Sequence, residues 1–502
     1  MYFLGIDIGS TAVKACIIRA SAESRINNPD NGINDAVVAR GSADYPTARP
    51  LPDHATHDPR DWNRATAAAV RQAVDSLPEG AAAEIGGICF SAQGGSIYAA
   101  DADNQPLCDA LTWMDRRAVK ESAEVIAEPT LGFDKIRSAC GWRPAPTDCI
   151  AKLLWLRRNE PDMFARAAHF YTTEESVTGY LTGNFVTDAT GEVMTRLYDY
   201  RVGKYIPEAL DFLGITEDQL PRVLPCGYPA GKLLPETAAE FGIPAGIPVF
   251  VGAHDQYCAS IGSGVTEPGQ LLLATGTAWV MFGVSEKPLT APPYPAPCTH
   301  PIEGRFGVMS SMAGCGGALG AYAAACGTKA SGLDRRIEAE GVSNARKKCR
   351  DLFVCPLPPE PAIAHRSGVC IPLATAEGHS EAHTALAAME GAAFEARILA
   401  EAFESAGFPR GGQLVMSGGA SKSPLWRSIV ASVFSDRPLY ILCEADAPAL
   451  GAALLAAHSA GTYATLADAA GALCERISVP CDADAADFYR NKYRSYREWA
   501  LA

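Results

Sequence analysis

Basic residues are in short supply in this 502-residue chain. Lys and Arg total 43 against 57 Asp and Glu, giving a formal charge of −14 with His neutral. A nucleic-acid binder is expected to show a basic stripe, and none is visible, so that class is set aside. Long hydrophobic runs are also missing: no 18 consecutive residues are apolar, which leaves no candidate for a membrane-spanning helix. The opening stretch MYFLGIDIGSTAVKACII is apolar, but Asp7 and Lys14 interrupt it and no small-residue cleavage site follows. No signal peptide is expected, and the expected location is the cytoplasm. Cysteine, at 16 residues, is far below the density of a disulfide scaffold. No C-x-x-C pair occurs, which removes zinc-ribbon and thioredoxin spacing. Cys16, Cys89, Cys258 and Cys443 sit in apolar or small-residue runs and read as small core residues. His379 and His383 are four apart, but without an H-E-x-x-H pattern they are given no metal role. Gly (46) and Pro (35) show no period, so fibrous classes fall away.

What is present is enough apolar material, 48% of residues, for sizeable cores in two to four domains. The chain also repeats a plan. Residues 3–7 and 13–18 read as strands joined by the turn Gly9-Ser10-Thr11. Residues 270–274 and 279–284 read the same way around Thr275-Gly276-Thr277, about half a chain later. Helical periodicity marks 62–76, 150–159, 385–405, 425–434 and 449–458, and apolar strands are expected at 85–90, 249–252, 413–416 and 439–443. The pattern is mixed α/β in two lobes. Residues 288–301, rich in proline, are expected to form a long surface loop, and 27–60 an irregular stretch with one hairpin.

Turns carrying glycine and hydroxyl residues gather backbone N–H groups that suit phosphate oxygens. One such turn is ordinary hairpin chemistry, whereas two in equivalent places point to a shared polyanionic ligand. Asp7, ending an apolar strand, is costly to bury unpaired. A carboxylate near a magnesium ion, which takes oxygen ligands and keeps several waters, accounts for it better than a turn acceptor does.

These features occur together in a known pattern. IDIGSTAVKA resembles the first phosphate motif of the FGGY carbohydrate kinases, which have the actin/hexokinase-like ATPase fold. ICFSAQGG is similar to that family's sugar-binding loop, LTWMDRRA to its W-x-D-x-R motif, and KLLWLRRNEP to its first signature, with Cys149 where Pro, Ser or Thr is usual. YLTGNFVTDAT resembles its L-T-G-x-x-x-T-D segment, VGAHDQYCASIGSG the loop with the catalytic base, LLATGTAW the second phosphate motif, and MSGGASKSPLW the adenosine motif. The resemblance implies two RNase H-like lobes, 1–250 and 251–502, with the active site in the cleft between them. It also implies magnesium-dependent transfer of the γ-phosphate of ATP to a sugar hydroxyl.

By this resemblance Asp255 is the base, with a helix N-cap as its alternative reading. Asp7 and Asp255 would hold the metal. Gly9, Ser10, Thr11, Lys14, Thr275, Gly276, Thr277, Gly314, Gly418, Gly419, Ala420 and Ser423 would bind nucleotide and phosphates. Gln93, Gly94, Gly95, Trp113, Asp115 and Asp255 would bind the sugar, and Arg117 would brace the pocket. Trp113 could equally be a core residue.

Length and the run GGASKSPLWRSIVA are most similar to the xylulokinase-like members, which implies a ketopentose, foremost D-xylulose. The chain departs from them at Gly94-Gly95, where Met-His is typical, and at Ile371-Pro372-Leu373, where aromatic-x-Gly-Leu is usual. Ribulose, L-xylulose, erythritol and glycerol therefore stay open as acceptors. A chaperone-like or cytoskeletal ATPase and a non-catalytic sugar sensor are the rivals from other classes. The QGG and WMDRR segments argue against the first, and the presence of Asp7, Lys14 and Asp255 against the second. A homodimer is carried as a family expectation.

Overall fold

The computed structural model describes the chain except for residues 22–35, 143, 277, 292–295, 313, 358–373, 445 and 502. Thr277 and Ile371-Pro372-Leu373 therefore lie outside the described residues.

Two seven-stranded sheets organise the described chain. The first is built from β1 (Tyr2–Ile8), β2 (Ala12–Arg19), β3 (Val37–Asp44), β4 (Ile85–Ala92), β5 (Pro229–Lys232), β6 (Pro248–Phe250) and β7 (Ala253–His254). Their order is β5-β6-β4-β1-β2-β3, with β7 also beside β4. The second contains β8 (Leu271–Thr275), β9 (Trp279–Ser285), β10 (Ala296–Thr299), β11 (Phe306–Met312), β12 (Leu414–Gly418), β13 (Leu439–Leu442) and β14 (Arg476–Val479), in the order β10-β11-β9-β8-β12-β13-β14. Each sheet has an antiparallel β1–β2 or β8–β9 hairpin whose first strand runs parallel to a later strand, β4 or β12. That shared plan is the repeat visible in the sequence.

The central strands β1 and β4 are buried almost throughout, as expected for strands covered on both faces. Helix α1 (Pro59–Asp75) covers one face, started by an Asp58 side chain that accepts from Arg60 N–H. The other face receives α3 (Asp255–Gly262) and α7 (Ala447–Ser459), while α2 (Cys149–Asn159), α4 (Cys315–Ala325), α5 (Glu381–Ser405), α6 (Pro424–Val433) and α8 (Ala483–Leu501) pack elsewhere. Helix α7 is small-residue-rich because it lies against backbone. A Cβ on Gly5 would sit 2.0 Å from Ala449 O, and one on Gly451 only 1.9 Å from Cys258 O. This contact carries a helix from late in the chain onto the first sheet.

Two expectations need correction. Within 288–301, residues 296–299 form β10, mostly buried and paired with β11. Ala296 and Cys298 turn inward, and Pro297 is tolerated because β10 is an edge strand. Within 27–60, residues 37–44 form a full sheet strand against β2 rather than an irregular stretch. Alternation of buried and exposed positions along VVARGSAD is the half-buried strand signal there.

Candidate active site

Residues predicted for the first lobe, and Asp255 predicted for the second, converge at the C-terminal ends of three neighbouring strands. Register places Asp7 beside Ser91 and Ser91 beside Ala253, so β1, β4 and β7 end together, and their next residues supply Gly9, Gln93 and Asp255. Crevices at the carboxyl ends of parallel strands are where α/β sheets bind ligands.

Asp7 is buried, 6% exposed, and its Oδ1 accepts from Ser91 Oγ at 2.8 Å. Burial, then the charge of Asp255, pushes its pKa up to about 7. Asp255 opens α3, and its Oδ1 is buried without a hydrogen-bond donor among the described residues. It lies 3.2 Å from His254 Nδ1, but that nitrogen already accepts from Gln256 N–H at 3.3 Å. The cap at α3 is thus made by His254, and the Asp255 carboxylate is left for other work. Two under-compensated carboxylates, with the charge of Asp255 raising the proton affinity of Asp7, fit a divalent cation with several waters.

Lys14 pairs with Asp7 across the β1–β2 hairpin and ion-pairs with Asp446 Oδ1 at 2.7 Å. Burial pulls its pKa down, but the hydrogen bond and charge of Asp446 outweigh this and hold it above the usual lysine value. Beside it, Arg40 forks onto Glu444. These two pairs tie β2 and β3 to the segment entering α7.

The sugar-loop residues also come together. Gln93 is buried, its Nε2 3.4 Å from Tyr45 Oη, and its Oε1 has no hydrogen bond among the described residues. Tyr45 donates to Gly9 O, linking the sugar loop to the phosphate turn. Its ring meets His57 edge-on at 5.1 Å. Trp113 is 40% exposed and so is no core residue; its Nε1–H donates to Ser10 Oγ at 2.8 Å. Gly95, at φ 74°, needs glycine, and its carbonyl accepts from the fully buried Lys152 at 2.8 Å.

Asp115 is the correction in this group. It is fully buried; Oδ2 accepts from Ala55 N–H and Arg117 Nη2, and Oδ1 from Arg117 N–H and Nε. With both oxygens occupied by protein donors it braces the loop with Arg117 and is not placed to bind a sugar.

On the second lobe, Thr275 Oγ1 donates to Ser417 O (2.5 Å) and accepts from Ala420 N–H (3.1 Å), and Gly419 N–H donates to Thr275 O (2.8 Å). The second phosphate turn and the adenosine-motif turn are therefore one unit. Gly418 has φ 90°, and a Cβ there would meet Thr275 O at 2.6 Å. Gly276 is exposed beside them, and Gly314, at φ 81°, is the N-cap of α4. Ser423 Oγ caps α6 by accepting from Trp426 N–H. Ser10 and Gly9 are half-buried and Thr11 is exposed at the first turn.

Sequence reasoning missed His254, Tyr45, Thr190 and Asp446. Thr190 Oγ1 accepts from His254 N–H at 2.8 Å and is itself held by Asp188, so it pins the base loop. Only His254 had a usable signal, its place next to Asp255; the others act across long sequence distances.

Comparison with known proteins settles the kinship. The N-terminal domain model of the FGGY family of carbohydrate kinases matches residues 2–262, and its C-terminal domain model matches 271–460. The chain belongs to the FGGY family of carbohydrate kinases. Xylulose kinase from Bacillus subtilis (strain 168) is 26% identical over 476 residues, covering 93% of this chain and 90% of the relative. L-fuculokinase from Salmonella typhi is also 26% identical, over 378 residues, 73% of this chain and 75% of the relative. The crystal structure of a xyloylose kinase from Brucella ovis superposes with a TM-score of 0.81 at 23% identity, covering 99% of this chain and 98% of that one. The two sheets are therefore the two lobes of the fold the resemblance implied. Among the described residues no helix is long and apolar enough to cross a membrane.

Proposed function

We propose that this FGGY kinase transfers the γ-phosphate of ATP to a hydroxyl of a ketopentose, with D-xylulose first in line. The observation that carries the reading is the Asp255 carboxylate, which follows a strand end beside the strand that leads into Gln93 and whose Oδ1 has no protein donor among the described residues. A xylulose kinase relative matched over nearly the whole chain supports the sugar.

In this reading Asp255 takes the proton of the attacking hydroxyl, and Gln93 and Trp113 orient the acceptor. The backbone N–H groups of the two turns, with Lys14, hold the phosphates in line. Asp7 and Asp255 would hold magnesium, which supplies charge neutralisation at the phosphate oxygens. Asp115 with Arg117, and Lys152 at Gly95 O, keep the sugar loop rigid. In this reading the lobe boundary falls after residue 262 and not at 250, since β7 and α3 go with the first sheet; a cytoplasmic location and a homodimer belong to the same proposal. The family implies no nucleic-acid partner.

The test is an ADP-release assay over D-xylulose, ribulose, L-xylulose, L-fuculose, erythritol and glycerol, for wild type and Asp255→Asn. Wild type is expected to prefer D-xylulose, and the variant to lose roughly 10²–10⁴ in turnover while still binding nucleotide. Transfer retained in Asp255→Asn sinks the base assignment. ATP turnover indifferent to every sugar sinks the kinase reading in favour of an ATPase.

A further inference from the structure

Resting on that reading, we propose that His254 is a sugar-contacting residue that sets acceptor specificity. It supplies, from the base loop, the polar wall that the loop after Gln93 leaves bare. Gly94 and Gly95 present no side chains to the pocket. Gly95 needs its positive φ, but Gly94 does not adopt one, so backbone geometry does not explain the second glycine. Space does. A Cβ on Gly94 would lie 2.6 Å from His254 Cδ2, 2.9 Å from His254 Nε2 and 2.8 Å from Met194 Cγ. The imidazole and Met194 occupy the volume that a side chain at 94 would fill.

The ring is held in one orientation. Its backbone N–H donates to Thr190 Oγ1 at 2.8 Å, its Nδ1 accepts from Gln256 N–H at 3.3 Å, and it meets Tyr257 edge-on at 6.3 Å. Because Nδ1 accepts, the neutral ring carries its proton on Nε2. Nε2 has no hydrogen bond among the described residues and lies on the Gly94 side, next to the loop that follows Gln93. Nδ1 is also 3.2 Å from Asp255 Oδ1. A fixed donor beside a carboxylate acceptor matches two adjacent hydroxyls: one gives its proton to Asp255, and its neighbour accepts from Nε2–H. The substrate class is a polyol or ketose with a hydroxyl next to the one phosphorylated, and the contact persists from ground state to transition state.

Steady-state kinetics of the full-length enzyme test this, using ADP release with D-xylulose, or with whichever sugar of the panel is phosphorylated. His254→Ala is expected to raise the sugar KM roughly tenfold, with kcat within about twofold and the ATP KM unchanged. His254→Gln, which keeps an N–H donor, should recover part of that loss. Gly94→Ala, which must displace the ring, should move the same parameter. An analogue lacking the neighbouring hydroxyl should be discriminated about tenfold by wild type and not at all by His254→Ala. An unchanged sugar KM in His254→Ala overturns the inference, as does a loss confined to kcat, which would place His254 behind Asp255 and not on the sugar. If His254→Ala fails to fold, discrimination of the deoxy analogue by Gly94→Ala and His254→Gln decides the matter. An active wild type with an indifferent His254→Ala overturns this inference alone; a wild type inert towards every sugar overturns the kinase reading with it.

Discussion

Acid should weaken this protein through one buried imidazole. His57 is 1% exposed, and both ring nitrogens are in use: Trp62 Nε1–H donates to Nδ1 at 3.4 Å, and Nε2 lies 2.9 Å from Thr47 Oγ1. A second proton would have to enter at Nδ1, against the Trp62 donor. Burial, aided by Arg49 and opposed by Asp61, lowers the pKa to about 4 from an ordinary 6.5. The folded state keeps the ring neutral while the unfolded chain takes up a proton below 6.5. The stabilising contribution is therefore complete above pH 6.5 and is lost as pH falls through 4. The drop from 6.5 to about 4, at about 1.4 kcal/mol for each tenfold change in proton affinity, gives an upper bound of about 3–4 kcal/mol. His57→Gln keeps a donor and an acceptor but cannot titrate. Urea unfolding followed by tryptophan fluorescence at pH 7.5 and 4.5 should show wild type losing about 2–3 kcal/mol more than the variant over that interval. Other buried groups, such as His300 with its pKa lowered by burial to about 3, are common to both proteins and cancel. Because His57 packs edge-on against the Tyr45 ring, whose hydroxyl meets Gly9 and Gln93, the wild-type sugar KM should also rise as the pH falls towards 4. Parallel acid limbs for the two proteins would refute the reasoning.

Further outcomes follow from the same geometry. Asp446→Asn should change stability by less than about 1 kcal/mol, because the Lys14 pair is partly exposed, whereas Lys14→Met should raise the ATP KM; calorimetry and kinetics separate the two. Gly451→Ala should destabilise by about 3 kcal/mol or more, read as a lowered melting temperature, since its Cβ would meet Cys258 O at 1.9 Å. Trp113→Phe should raise the sugar KM several-fold without a stability loss, because it removes a tie between the sugar loop and Ser10 from an exposed residue. Lowering the pH from 8 to 6 should raise the magnesium concentration needed for half-maximal activity, as Asp7, with its pKa raised to about 7, holds its proton against the metal.

Strands that alternate with turns, and helices with one apolar face, were legible to within a few residues. The hairpins at Tyr2–Ile8 and Leu271–Thr275, and helices such as Pro424–Val433, follow directly from pattern. What local pattern could not show is pairing over distance. Residues 37–44 become a strand because β2 offers an edge, and 296–299 because β11 does. The site divides the same way. Asp7, Gln93 and Asp255 stand out as polar residues ending or following apolar strands. Asp115 looked equally suited to a sugar, and only its four protein hydrogen bonds show that it is committed elsewhere. The glycine after Gln93 looked like a simple loss of side chain, until the His254 ring was found in the space beside it.

The overall charge of −14 and a polyphosphate substrate are reconciled locally, and not by a basic patch. Around the first phosphate turn, Asp255 and Asp446 both lie in the electrostatic reach of Asp7, with Lys14 as the neighbouring cation, and Lys14 is already paired with Asp446. Arg40, the next cation along, is taken by Glu444. Side-chain charge at this turn is therefore negative before any ligand arrives. In the proposed reading, attraction of a polyanion would then come from turn backbone N–H groups, which carry no opposing charge of their own, and from a cation arriving with the nucleotide. On the same reading, a cleft arranged this way would favour a metal–nucleotide complex over free phosphate. It would then tie phosphate binding to the neutralisation of Asp7 and Asp255, the carboxylates proposed to hold the metal and to take the proton.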